Sequence, residues 1–374
     1  MLAILDESLP SELEAGGPAS EAVLAALAIC AQQVREGTHL LFAERTVYRR
    51  LKVFHNRLDN RTAAILAREE DRLPQLGQLR DFVVRAIRIV VSPQPTVAAR
   101  IANGKRIEIC LPVTAIEHQS SLLGLPMLLV ENLNDGRCYL KLAKSIIESG
   151  VMPELGWLKS IATRYDILPG GGHTLSALFD YHKGQGSRLG LAIADSDERY
   201  PGSAPGATAA ALVRIAIEAP VSPLLEYQVL PVRSIENCIP RAEIRKIAEE
   251  LDPVQLSRFE CLETNFSTSP HWKLIPIKAG IRCFELGQVS AESKFWTTLL
   301  GERTCLPNAH CKKKTACPNY AIPPISNQIL EKAVERLVLF TVTERCMDGL
   351  AETWKQLIVL LYSLFCSSKR VTVF

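Results

Sequence analysis

The chain has 374 residues, room for one large domain with additions or for two to three smaller ones. Its 47% hydrophobic and 22% charged content argues against a disordered chain and predicts a substantial core. A net charge of +3 is too small to mark a nucleic-acid binder by itself. Eleven scattered cysteines, and a start (Met1 to Glu7) without the basic stretch and long apolar core of a secretory signal, favour a reducing cytoplasm over a disulfide framework. The longest apolar stretches, Ala22 to Ala31 and Leu357 to Phe365, are too short to span a bilayer and read as packed helices, so no membrane partner is expected.

Residues 1–105 read as a helical amino-terminal region. Ser20 can cap a helix that Gly37 ends, and Val47 to Phe54 and Leu76 to Val91 continue the helical pattern until Pro93 and Pro95 interrupt it. Arg106 to Leu111 reads as a strand leading into a core over 106–290. Within that core Pro126 disfavours a helix, so Met127 to Val130 is expected as a central strand with Glu131 at its carboxyl end. Cys138 to Ile147 follows as a helix. Tyr165 to Leu168 is a second strand with Gly170, Gly171 and Gly172 as its exit, then a helix over Thr174 to Tyr181. Leu189 to Ala194 is a third strand, running into Asp195-Ser196-Asp197, with a helix over Ala207 to Ile217. A fourth, Tyr227 to Val232, leads into Arg233-Ser234-Ile235-Glu236-Asn237. Alternating units of this length predict an α/β fold with a mostly parallel sheet flanked by helices, whose ligand site lies outside the carboxyl ends of the strands.

Chemistry narrows the function. Mg2+ takes oxygen ligands, keeps several waters and is commonly held by one or two carboxylates plus substrate phosphate. Asp195 and Asp197, two apart at a strand end, can face one ion or a close pair, and Glu131 can bind a second ion or serve as general acid or base. The glycine run lets backbone approach where a side chain would block it. Metal-assisted hydrolysis of a phosphodiester is the natural reaction class. Alone, an Asp-x-Asp is more often a turn or cap, a triple glycine a flexible turn, and Glu236 an ion-pair partner of Arg233. Their order along four strand-like segments is what raises the functional reading. The glycine run is not a P-loop, because His173-Thr174 follows it, and no ATPase motif occurs elsewhere.

Val130-Glu131 with Asp135 four residues on, the glycine-rich exit, Asp195-Ser196-Asp197 and the Arg-x-Ile-Glu-Asn-like segment at 233–237 together resemble the Toprim domain. The likeness is to nucleases of the overcoming-lysogenization-defect (OLD) type and to stand-alone Toprim nuclease subunits of ATPase-coupled phage-defence systems. It covers roughly residues 120–290. It implies Glu131 as catalytic acid or base and metal ligand, Asp195 and Asp197 as metal ligands, Asp135 and Glu236 as supporting ligands of a second ion, and Lys278 as a catalytic cation. Two Mg2+ or Mn2+ ions are implied, with a DNA or RNA substrate and a separate ABC-type ATPase partner in antiviral defence. Asn132 stands where glycine commonly follows the glutamate, and Ala279 where an acidic residue often follows the lysine. The alternative function is a catalytically weak Toprim-like subunit that holds nucleic acid within a larger complex.

Residues 291–374 carry a Cys/Lys-rich loop and carboxyl-terminal helices. Cys305, His310, Cys311 and Cys317 surround Lys312-Lys313-Lys314 and offer four zinc-type donors, although their spacing is not the paired Cys-x-x-Cys of a ribbon or finger. Reduced thiols on a basic loop are the default. Arg49-Arg50-Leu51-Lys52, the Arg85 and Arg88 pair and the lysine triplet are candidate phosphate contacts, with solvated helix faces as the ordinary explanation of the first two. Ile325 to Phe365 is expected as two helices, with Ile329, Ala333, Leu337 and Phe340 on one face, covering apolar surface or forming a homo-oligomer contact.

Overall fold

The computed structural model describes the chain except residues 103, 119, 219–222, 267–269, 302–318, 344–348 and 371–374, with backbone only at 117, 118, 120 and 173. The zinc-type donors Cys305, His310, Cys311 and Cys317 and the lysine triplet lie outside the described residues.

Two mostly parallel sheets organise the molecule, so the α/β class expected from the sequence is what is found. The first is built from β1 (Leu2–Leu5), β2 (Leu40–Phe42), β3 (Arg85–Val90), β4 (Ala98–Ala102) and β5 (Arg106–Pro112), in the order β2-β1-β3-β5-β4. All its pairings are parallel except β4 with β5. The amino-terminal region is therefore not simply helical, and Arg106 to Leu111 belongs to this sheet rather than introducing the next. The stretch Leu76 to Val91, expected as one helix, divides into a helix over Leu73–Phe82 and strand β3. Val83, Val84, Ile87, Ile89, Val90 and Val91 explain the change, because β-branched side chains favour the pleated backbone.

The second sheet follows the expected units closely. After β6 (Met127–Val130) and the short β7 (Ala162–Thr163) come β8 (Asp166–Pro169), β9 (Gly190–Asp195) and β10 (Leu225–Leu230). β10, β9, β6 and β8 lie side by side, all parallel, with Met127 in register with Asp166 and Gly190. The period-two pleat divides the strands between two layers. Leu128, Val130, Leu191 and Ile193 pack with Leu142 and Ile146 of the helix Leu133–Ser149, whereas Met127, Leu129, Ala192 and Ala194 pack with Leu175, Phe179, Leu212 and Ala216 of the helices Leu175–Gln185 and Ala207–Glu218. Each fully buried Leu, Ile, Val, Met or Phe among them is worth roughly 1.5–3 kcal/mol.

The two sheets share one apolar core. Ala3, Leu5, Ile87, Ile89, Ile109 and Leu111 join the same cluster as Leu128 and Val130. Their amino edges meet at a seam, where Arg85 at the start of β3 donates to the Pro223 carbonyl at 3.0 Å and pairs with Glu226 of β10. The carboxyl edge of the second sheet stands a strand's length from that seam, roughly 13–20 Å at ~3.3 Å per residue. Toward the carboxyl end, helices cover Ile329–Glu335 and Ala351–Phe365. Ile329, Ala333 and Phe340 are buried, but Leu337 lies beyond the helix end and is fully exposed, so it does not share their face. Among the described residues no helix is long and apolar enough to cross a membrane.

Candidate metal centre at the carboxyl edge of the second sheet

Four strand exits build this edge. β6 delivers Glu131 and then Asn132, which caps the helix Leu133–Ser149 in a reciprocal box with Asp135, whose carboxylate accepts the Asn132 N–H at 2.8 Å. Asn132 thus has a local task, and Asp135 is tied to the helix start. The positive end of the helix dipole faces both acids.

The β8 exit braces Glu131 from behind. Gly170 donates to the Val130 carbonyl at 2.7 Å and Gly171 to the Glu131 carbonyl at 2.8 Å. Gly170 is required by proximity, since a β-carbon there would fall 2.6 Å from Leu175 Cα, and Gly171 by its φ of 74°. Rather than reaching outward to substrate, Gly170 and Gly171 fix the strand end that carries the glutamate. Gly172, also left-handed at φ 64°, completes the turn.

At the β9 exit both Asp195 oxygens are held: Tyr139 O–H donates to one at 3.2 Å and the Ile235 N–H to the other at 2.8 Å. Ser196 is buried and bonds back to the Val232 carbonyl. Asp197 lies past the strand, and simple strand alternation does not place it. It has φ 55°, the only non-glycine residue with positive φ among those described, a conformation aspartate tolerates better than most. The bend needs Gly206, because a β-carbon there would sit 2.3 Å from the Asp197 carboxylate.

After β10, Ser234 and Asn237 cap each other, and the Asn237 amide donates to the carbonyls of Trp272 and Ile275 at 2.9 Å. That clamp carries in the 276–280 turn. Glu236, 1% exposed, pairs through Oε1 with Lys278 Nζ at 3.1 Å, not with Arg233. Its buried Oε2 has no hydrogen-bond partner.

The five expected carboxylates therefore come together electrostatically. Burial first, and then Asp135 and Asp197, push the Glu131 pKa up. Burial, with Glu236 adding to it, lifts Asp135 to about 6. Asp195 is held well above the usual carboxylate range by burial and by Asp135, Glu236 and Glu131. Burial works against the Lys278 ammonium, but Glu236, Asp195 and Asp135 outweigh it and raise its pKa. Asp197 is exposed at the rim, and the other four acids, buried or partly buried, have one lysine among them, an excess of negative charge that a divalent cation would relieve. The unpartnered Glu236 oxygen and the all-oxygen donor set fit a hard cation such as Mg2+ or Mn2+. Among the described residues no group of three His, Cys, Asp or Glu side chains is arranged to hold a metal ion by itself.

The basic clusters among the described residues belong to the first sheet and to the helix Arg45–Lys52. Arg85 and Arg88 are strand residues in ion pairs with Glu226 and with Glu108 and Asp6, and Arg50 pairs with Glu14 at 2.6 Å. Tyr139 escaped the sequence reading, as did the clamping contacts of Asn237. A buried tyrosine hydroxyl needs a partner, and eight residues beyond Glu131 on a helix packed against the sheet, Tyr139 was placed to find one here. A scan against known protein families, a search of the curated proteins and a search of the solved structures each return no match.

Proposed function

We propose that the acidic edge is the centre of a Toprim-like, Mg2+- or Mn2+-dependent nuclease hydrolysing phosphodiester bonds of DNA or RNA. One observation carries the reading: three strand exits of a parallel sheet deliver Glu131, Asp135, Asp195, Asp197 and Glu236, whose charges help hold the pKa values of Glu131, Asp135 and Asp195 up while a single lysine faces them. A structural network would be expected to neutralise its buried acids. Bound divalent ions would supply charge neutralisation at the phosphodiester and a more acidic water.

The side chains divide the remaining work. Asp195 and Asp197 would hold one ion, and Asp135 and Glu236 would support a second. Glu131, its pKa raised by burial and neighbouring acids and its backbone pinned by Gly170 and Gly171, suits proton transfer at the attacking or leaving oxygen. Lys278, kept charged by Glu236, is placed to steady developing negative charge. A separate ABC-type ATPase partner and a role in antiviral defence belong to this proposal through the family resemblance.

The test uses purified full-length chain with plasmid DNA and total transfer RNA, in Mg2+, Mn2+ or EDTA, beside an Asp195→Ala/Asp197→Ala variant. Mn2+ binding is followed in parallel by electron paramagnetic resonance. The expected result is metal-dependent cleavage and Mn2+ binding by the wild type, both lost in the variant. Equal cleavage by the variant, or a wild type that binds no Mn2+, refutes the assignment.

A further inference from the structure

We propose that the cavity lined by Arg199, Arg233 and Trp296 is an anion subsite, which seats the phosphodiester next to the one at the carboxylates through Arg233, Arg199 and the indole N–H of Trp296, with Glu292 as a competing anion. The assignment of that occupant rests on the nuclease reading.

The cavity holds about 160 Å³ and is lined by Arg199, Arg233, Gly280, Ser290, Glu292 and Trp296 among others. Three of the segments that supply acidic-edge residues also supply its wall. Arg199 is two residues past Asp197, Arg233 three before Glu236, and Gly280 two past Lys278. The cavity wall is therefore near the acidic edge along the chain, although no residue of that edge lines it, and Arg233 feels the Asp197 charge.

Two buried donors lack acceptors there. Trp296 is fully buried, yet its Nε1 has no hydrogen-bond partner, and neither has Nη1 of Arg233. Buried indole N–H groups ordinarily find a partner. The nearest anion is Glu292, whose oxygens stand 3.5 Å from Arg199 and 3.6 Å from Arg233, in ion-pair range but without a hydrogen bond. Burial lowers the pKa of Arg233 and Glu292 only partly restores it, as expected for an under-neutralised guanidinium. Glu285 is already engaged, accepting the Arg282 N–H at 2.8 Å.

What would satisfy this set is a compact ligand made of acceptors. At ~30 Å³ per water the space equals on the order of five waters, room for a phosphate group but not for a nucleoside. A phosphodiester offers its oxygens to both guanidiniums and the indole, displacing Glu292.

Inorganic phosphate is the probe, titrated into the full-length protein in EDTA so that the metal centre plays no part, and read by calorimetry and tryptophan fluorescence. Saturable binding is expected for the wild type. Arg233→Ala should weaken it roughly ten- to hundredfold. Glu292→Gln should tighten it several-fold, a gain that misfolding cannot produce, and Trp296→Phe should weaken binding and remove the fluorescence response. Phosphate binding that is absent in the wild type, or indifferent to both Arg233→Ala and Glu292→Gln, overturns the subsite. The nuclease reading fails separately: Arg233-dependent phosphate binding retained in Asp195→Ala/Asp197→Ala, with no metal-dependent cleavage by any variant, leaves the subsite standing and sinks hydrolysis. Metal-dependent cleavage indifferent to Arg233→Ala and Glu292→Gln sinks the subsite alone.

Discussion

Each sheet buries carboxylates, and the two treat them in opposite ways. In the first, Glu108 of β5 is completely buried but met by Arg88, Arg100 and Arg106. Burial pushes its pKa up, and those arginines outweigh burial and bring it down to about 2. In the second, Asp135 is nearly as buried and faces Glu236, and because the Asn132 hydrogen bonds and Lys278 offset burial only in part, its pKa rises to about 6. The same chain surrounds an acid with arginines where the acid holds strands together, and leaves the acids of the second sheet's carboxyl edge with a single lysine, as the proposed metal centre requires. Residual charge, rather than acidity, separates a scaffold from a site.

The largest expected effect breaks the scaffold half of that contrast. Glu108→Gln would leave three guanidiniums around a neutral amide and should cost about 3–5 kcal/mol of folding stability, measured by urea denaturation. Because the folded pKa is depressed, the wild-type contribution is present above the ordinary carboxylate value of 4.5 and fades as pH falls toward 2. A loss well under 1 kcal/mol would show that the arginines do not hold the sheet through Glu108.

The site half has the opposite pH sign. Asp135 in the folded protein keeps its proton up to about pH 6, against an ordinary 3.8, so the folded state binds the extra proton and loses stability as pH climbs through that window. The loss is about 3 kcal/mol at most. Mg2+ should therefore raise the melting temperature more at pH 7.5 than at pH 5, where protons compete for the same oxygens. An Mg2+ effect equal at both values would remove the carboxylates from the metal's binding set.

How much of this was readable in the sequence follows from local signal strength. Met127–Val130, bounded by Pro126 and a polar turn, appears with the expected limits, and the strands ending at Pro169 and Asp195 fall within one residue of their expected limits. Leu2–Leu5 and Leu40–Phe42 are apolar runs of four and three residues beside long helices, too short to show a period, so the first sheet escaped notice. β4, with four exposed residues, has no buried face to reveal it. All five acids were legible because each follows an apolar run or sits in a recognisable segment. The left-handed turn at Asp197, the Asn237 clamp and the Tyr139 bond were not, since each depends on residues that meet only in three dimensions.

The smallest effect sharpens the comparison most finely. Tyr139→Phe deletes one oxygen from a residue 1% exposed and removes one bond, at 3.2 Å, to Asp195. On folding alone the expected cost is about 1 kcal/mol. Partners that orient a metal ligand typically matter more to the metal, by roughly 10–100-fold in affinity. Mn2+ titration of Tyr139→Phe should thus show a loss far larger than its stability change implies. Arg100→Ala, which trims the cage of Glu108, should destabilise the fold and leave Mn2+ affinity unchanged. If Tyr139→Phe folds normally and binds Mn2+ as the wild type does, Asp195 is not a ligand. The tyrosine would then be one more partner of a buried acid, and the second sheet would be treating its carboxylates as the first does.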